Sequence, residues 1–264
     1  MNINYHIYKH AWIFNGGPHN EHQLSEEEAQ ELLHSGGWLV RNTYDFDCKS
    51  QTDFWYIICD RYNGIQELNT KTRNQIRKGR ANYSIRHVSK EEIRNEGYPI
   101  HVAAVVAYKV LAQAPSREAF EQRIMTADDH MDFWGAFNND NKMVAFAINK
   151  ISYDHCDYQT LKAIPQDMKN YVYYALIDEM NQYYLNEQKL NYVMDGARSI
   201  TEHSNIQPFL EEKFHFRKAY CHLHIYYTWW LKILITCLYP FRKLVRHNAI
   251  HALLMMHGMQ DKTK

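Results

Sequence analysis

Apolar and polar positions along the 264 residues fall into alternating helical and strand spacing, and the pattern is sharper in the second half of the chain. Ser25-Glu26-Glu27-Glu28 is a capping box with acidic residues at the positive end of a helix dipole, and it predicts a helix that stops at Gly36-Gly37. Aromatic and β-branched runs at Trp38–Val40 and Phe54–Cys59 predict strands. A polar, basic helix over Leu68–Gly79 and a short strand over Ser84–Val88 follow, and then a second capping box, Ser89-Lys90-Glu91-Glu92. Pro99–Ala112 and Ser116–Ala127 have helical spacing, the first with Val102, Val105, Val106 and Val110 as its expected core face.

Beyond Phe133 the order reads strand, strand, strand, helix, strand, helix, strand. Phe133–Phe137 and Met143–Ser152 flank the turn Asn138-Asn139-Asp140-Asn141, and Tyr158–Ile164 is a third strand. Tyr171–Tyr184 carries apolar residues at helical spacing, and Tyr192–Met194 is a short buried strand ending in Asp195-Gly196. Asn205–Lys213 is a helix with Pro208 in its first turn, and Arg217–Tyr226 is the returning strand. This predicts an α/β (α+β) fold, a mixed central sheet flanked by helices with a C-terminal helical extension.

The order resembles the core of the GNAT (N-acetyltransferase-like) superfamily. Asn205-Ile206-Gln207-Pro208-Phe209-Leu210-Glu211-Glu212-Lys213-Phe214-His215-Phe216 resembles that family's closing helix, with Glu212, Lys213 and Phe216 at matching positions. Arg73-Asn74-Gln75-Ile76-Arg77-Lys78-Gly79 resembles a run in FemAB-like aminoacyltransferases, which share the fold. The likeness spans about Trp38 to Tyr226. It implies an acyl- or aminoacyltransferase domain over 1–226, clearest over 132–226, followed by a basic amphipathic tail over 227–264. The departures are physical. The stretch Lys162–Asn170 corresponds to the loop whose backbone N–H groups hold the CoA pyrophosphate, yet it has no glycine and carries Asp167. The family's general-acid tyrosine falls at Glu211. These departures leave acyl-CoA an open co-substrate, favour the FemAB-like branch, and equally favour a catalytically inactive binding module on a membrane or a partner protein.

Acyl transfer needs a base, an oxyanion donor and an anchor for the acyl carrier. The segment from Asp195 to Asn205 is the densest polar cluster at a strand end. Asp195, His203 and Glu211 are the candidate catalytic residues. Arg198, Ser204, Asn205, Lys162 and Arg77 are the candidate donor- or substrate-binding residues. In the bland alternative, Ser204 and Asn205 only cap a helix and Asp195 sets a turn with Gly196. Lys71, Arg77, Lys78 and Arg80 cannot share one helix face, which fits a solvated surface. With no evident serine or cysteine nucleophile motif, direct attack by an amine or hydroxyl acceptor (a small molecule, lipid or saccharide) is expected.

Composition narrows the setting. Thirty basic and thirty acidic side chains cancel, so general nucleic-acid binding is not expected. Five scattered cysteines without a CxxC, and no apolar signal run at the N-terminus, favour a cytoplasmic protein without disulfides. His222 with His224 and His247 with His251 have ligand-like spacing but no acidic neighbour to complete a closed site, so no metal is expected. The tail is distinctive: Tyr226–Tyr239 is rich in Trp, Tyr, Leu and Ile, and Phe241–Arg246 adds cations. Contact with the inner face of the cell membrane through 226–246 is one expectation, and packing on the domain is the other.

Overall fold

A computed structural model describes residues 4–107, 113–200 and 205–260. The chain opens with β1 (Tyr5–Tyr8) and β2 (Ala11–Phe14), then α1 (Glu26–Ser35), β3 (Leu39–Tyr44) and β4 (Phe54–Cys59). Next come α2 (Thr70–Asn82), β5 (Ser84–His87), α3 (Lys90–Val106) and α4 (Arg117–Met125). The second half runs β6 (Met131–Phe137), β7 (Met143–Ile151), β8 (His155–Ala163), α5 (Pro165–Lys169), α6 (Val172–Asn181) and β9 (Tyr192–Ala197). It closes with α7 (Ile206–Phe214), β10 (Arg217–Tyr227), α8 (Trp229–Leu238) and α9 (Asn248–Gly258). The fold is mixed α/β.

The described residues form two compact units. The first combines Met1–Tyr56, Ala197–Glu202 and Lys218–Lys264; the second combines Ile57–Gly196 and His203–Arg217. The described part of the C-terminal tail falls in the same unit as the first 56 residues. In the first unit, β1 and β2 form a hairpin, β2 runs parallel to β3, and β10 pairs antiparallel with β3 from His222↔Tyr44 to Tyr227↔Leu39. α1 buries Ala29, Leu32 and Leu33 against Tyr5, Leu24 and Val40. Both halves of its capping box are made.

In the second unit, β5, β6, β7 and β8 pair antiparallel in sequence order, and β9 joins β8 in parallel. α3 and α4 cover one face, where Ile93, Ile100, Phe120 and Ile124 meet Phe133, Phe137, Met143, Phe146 and Ile148. Each such large side chain contributes roughly 1.5–3 kcal/mol on leaving water. α6 buries Val172, Ala175, Leu176, Ile177 and Met180. α2 lies against it through Gly79, where a Cβ would come within 2.5 Å of the Tyr171 carbonyl.

The helix expected over Pro99–Ala112 starts earlier, at the capping box. α3 runs unbroken from the Ser89 cap through Pro99 to Val106. Pro99 is exposed, so the carbonyl that loses its helical partner can face water. Counting from Ser89 also changes the buried face to Ile93, Gly97, Ile100, His101, Ala104 and Val105. Val106 is 78% exposed, and Val110 lies outside the described residues. The helix expected over Tyr171–Tyr184 begins at Val172 and widens into a π-helical stretch over Gln182–Glu187. That stretch buries Tyr184, whose hydroxyl donates to Asp132 Oδ2 at 2.5 Å and accepts from Trp134 Nε1 at 2.8 Å.

Candidate active site

β8 and β9 are paired only at His155↔Tyr192, Cys156↔Val193 and Asp157↔Met194. β8 then continues to Ala163 and β9 to Ala197 outside that register, so the two parallel strands form a fork. Asp157 and Asp195 stand at its base. The β7–β8 register slips one residue beyond Asp157: Ile148 faces Thr160 while Asn149 faces Tyr158, which leaves Gln159 as the extra residue of a β-bulge. A bulged residue drops out of the ladder and re-aims its neighbours.

The electrostatics of the fork are unusual. Removal from water pushes the Asp157 carboxyl up to about 6, against the pull of Gln159 and Lys150. Gln159 Nε2 donates to Asp157 Oδ2 at 3.4 Å. Asp195 is pushed up to about 7, first by removal from water and then by the negative charge of Asp157, while Gln207 opposes the rise. The Gln207 amide also donates to the Asp195 carbonyl at 3.2 Å, which ties the start of α7 to the end of β9. Two neighbouring carboxyl groups that titrate near neutrality can hold or accept a proton at physiological pH.

Of the sequence candidates, Asp195 sits at the fork. Lys162 lies five residues beyond Asp157 on β8, opposite Phe146; burial first, and then the charges of Lys162 and Arg123, lower the His101 imidazole to about 4. Glu211 is half-buried in the middle of α7. Asn205 occupies the N-cap position of α7 without a side-chain capping bond. His203 and Ser204 lie outside the described residues. Arg198 belongs to the first unit: its guanidinium donates to the Asp53 carbonyl at 2.6 Å and lies 4.2 Å from the centre of the Trp55 ring. Arg77 is exposed on α2 and donates to Asn74 Oδ1 at 3.3 Å, while Arg80 pairs with the buried Asp178 at 2.7 Å.

Sequence reasoning missed Asp157, Gln159 and Gln207. The only signal for Asp157 was a carboxylate between the apolar Cys156 and Tyr158, and it is weak because five of the nine β8 residues are polar. Its neighbour Cys156 is fully buried, and burial raises its thiol well above the ordinary range, which disfavours a thiolate nucleophile.

The stretch that corresponds to the CoA-phosphate loop is the short helix α5, followed by Tyr171 in the left-handed region (φ 68°) as N-cap of α6. Tyr83 donates to Asp167 Oδ1 at 2.8 Å, and the Tyr171 carbonyl, which Gly79 approaches, accepts from the amides of Tyr174 and Ala175. A phosphate there would meet the Asp167 carboxylate and a turn built of residues that carry side chains where a glycine would let it approach the backbone. In the first unit, the ligand atoms of Asp45, Cys48 and His222 lie within 4.8 Å of one another, a donor set that could hold a divalent metal. Cys48 and His222 are far apart in sequence, so spacing could not reveal this set. The other histidine pair is placed otherwise: His251 meets the Arg242 carbonyl at 3.2 Å.

No family model matches the chain, and no curated protein matches it. Solved structures do match. The FemX structure superposes with a TM-score of 0.53 at 8% identity, covering 79% of this chain and 77% of that one. L-PGS from Bacillus licheniformis gives 0.51 at 14% identity, covering 88% and 77%. A shorter match, 41% of this chain and 74% of the other at 16% identity and a TM-score of 0.34, is to the PaiA N-acetyltransferase of Thermoplasma acidophilum in complex with coenzyme A. The chain therefore shares the fold of FemX and L-PGS.

Proposed function

We propose that this protein is an acyltransferase that moves an acyl or aminoacyl group onto an amine or hydroxyl at the β8–β9 fork. The observation that carries the reading is the pair Asp157 and Asp195, raised to about 6 and about 7 where the two parallel strands part. Asp195 is the base: a carboxylate of that basicity takes a proton from the acceptor at neutral pH far better than an ordinary aspartate. Asp157 keeps its partner basic and adds negative charge that attracts an ammonium, which favours an amine acceptor over a hydroxyl. The bulge at Gln159 leaves backbone outside the ladder beside this pair, where an N–H can meet the developing oxyanion. Attack is direct, since the nearby Cys156 is buried and held as a thiol.

The filled turn before α6 favours an aminoacyl carrier over a donor held by the usual CoA-phosphate contacts, and acyl-CoA is the second donor class. Calorimetric titration with acetyl-CoA, longer acyl-CoAs, free CoA and aminoacyl-tRNA separates the readings. Saturable binding of one donor, retained in Asp195→Asn while transfer to an amine acceptor is lost, supports the transferase. Binding of none would instead support a catalytically inactive member of the fold that serves as a binding module.

A further inference from the structure

α8 has two apolar sides, and only one of them is used. Leu231 and Ile235 are buried. At 3.6 residues per turn, Trp229, Trp230, Ile233, Leu234 and Cys237 fall in one arc of about 140° that excludes both. That arc carries no polar side chain and faces outward: Trp229 is 76% and Ile233 58% exposed. Past the end of the helix the chain adds two more exposed apolar side chains, Phe241 (59%) and Leu244 (76%). Trp230 meets Trp38 edge-on at 5.6 Å, which fixes the near end of the patch on the first unit's own framework. Isolated apolar residues on a surface are ordinary, but a contiguous group with two tryptophans is not.

The charges that the segment itself carries have one sign, while Glu26 of α1 faces Lys232 across a groove on the other side of α8. Lys232, Lys243 and Arg246 are exposed beside it, and the sequence contains no Asp or Glu from Phe214 to Gln260. No described helix is long and apolar enough to cross a membrane. An outward apolar arc with tryptophans, flanked along the chain by Lys232, Lys243 and Arg246, matches the interface of an anionic bilayer, where indole rings sit at headgroup depth and basic side chains meet lipid phosphates. A protein partner would need both a complementary groove and a concentration of acidic groups.

We infer that α8 and the turn after it, through Leu244, dock the protein in plane on an anionic lipid surface. The inference is independent of the chemistry at the β8–β9 fork, so either can fail alone. Its test is sedimentation of the full chain with vesicles of phosphatidylcholine alone or with about 30% phosphatidylglycerol, at low and high salt. The expected result is binding to the anionic vesicles that falls as salt rises. Ile233→Glu with Leu244→Glu should weaken it at least about tenfold. Both positions are exposed, so this variant should keep its circular dichroism and thermal midpoint. Lys243→Glu with Arg246→Glu should weaken binding to the anionic vesicles and leave the neutral ones unaffected. Absence of binding to anionic vesicles, or binding that Ile233→Glu with Leu244→Glu leaves unchanged, would overturn the inference. So would self-association in the ultracentrifuge, lost in that same variant, by a protein that ignores vesicles, which would assign the patch to a second copy of the chain.

Discussion

Replacing Asp195 by asparagine removes a carboxyl whose charged form the fold disfavours. Its affinity for a proton rises from the ordinary 3.8 to about 7 on folding, so the folded state binds that proton more tightly than the unfolded chain. The resulting stabilisation is complete below about pH 4 and is lost as pH rises through about 7. Above that, the native state holds a charge it would be more stable without. The interval corresponds to about 4 kcal/mol, and because Asp195 is only partly buried we discount it to about 2 kcal/mol. Asp195→Asn should therefore be more stable than the parent by about 2 kcal/mol at pH 8, or about 4–6 °C in thermal midpoint. The two proteins should converge at pH 3.5. Urea unfolding at both pH values, followed by circular dichroism, measures this directly. A variant equally stable or less stable at pH 8 would refute the claim that the fork holds a desolvated carboxyl pair. Stability bought at the expense of activity is the pattern expected of a functional group rather than a structural one.

Three further substitutions test the frame around the site. Gly79→Val should destabilise the α2–α6 contact by about 3 kcal/mol in urea unfolding, since its Cβ would meet the Tyr171 carbonyl at 2.5 Å. Tyr184→Phe should cost about 3 kcal/mol, because it strips a hydrogen-bond partner from Asp132, Trp134 and the buried Asn149. Ser89→Ala should cost only about 1 kcal/mol, the worth of one capping bond, and the loss should appear as fraying at the start of α3 by hydrogen exchange.

Much of the fold was legible from local signals. Both capping boxes start the helices they predict, the Asn138–Asn141 turn joins β6 to β7, and the strand Phe54–Cys59 has the expected bounds. These features depend on a few adjacent residues. The spacing starts α3 at Pro99 instead of Lys90, because whether a proline can sit inside a helix depends on whether the freed carbonyl can reach water, which is a tertiary fact. The site was legible only in part for the same kind of reason. Asp195 announces itself as a carboxylate at a strand end, whereas Asp157 gains its importance from a parallel register with β9 nearly forty residues away. The bulge at Gln159 has no sequence signature of its own. Arg198 looked like an anion ligand beside Asp195, but its guanidinium is occupied by Asp53 and Trp55.

The most direct test of the central claim is the pH dependence of donor turnover in the intact protein. Labelled acetyl-CoA and aminoacyl-tRNA would be supplied with a panel of amine acceptors. The account predicts transfer from one donor class, with a rate that climbs to a plateau as pH rises through about 7 and falls at least about a hundredfold in Asp195→Asn. Transfer at the same rate in Asp195→Asn, or a profile without an inflection near neutrality, would contradict it.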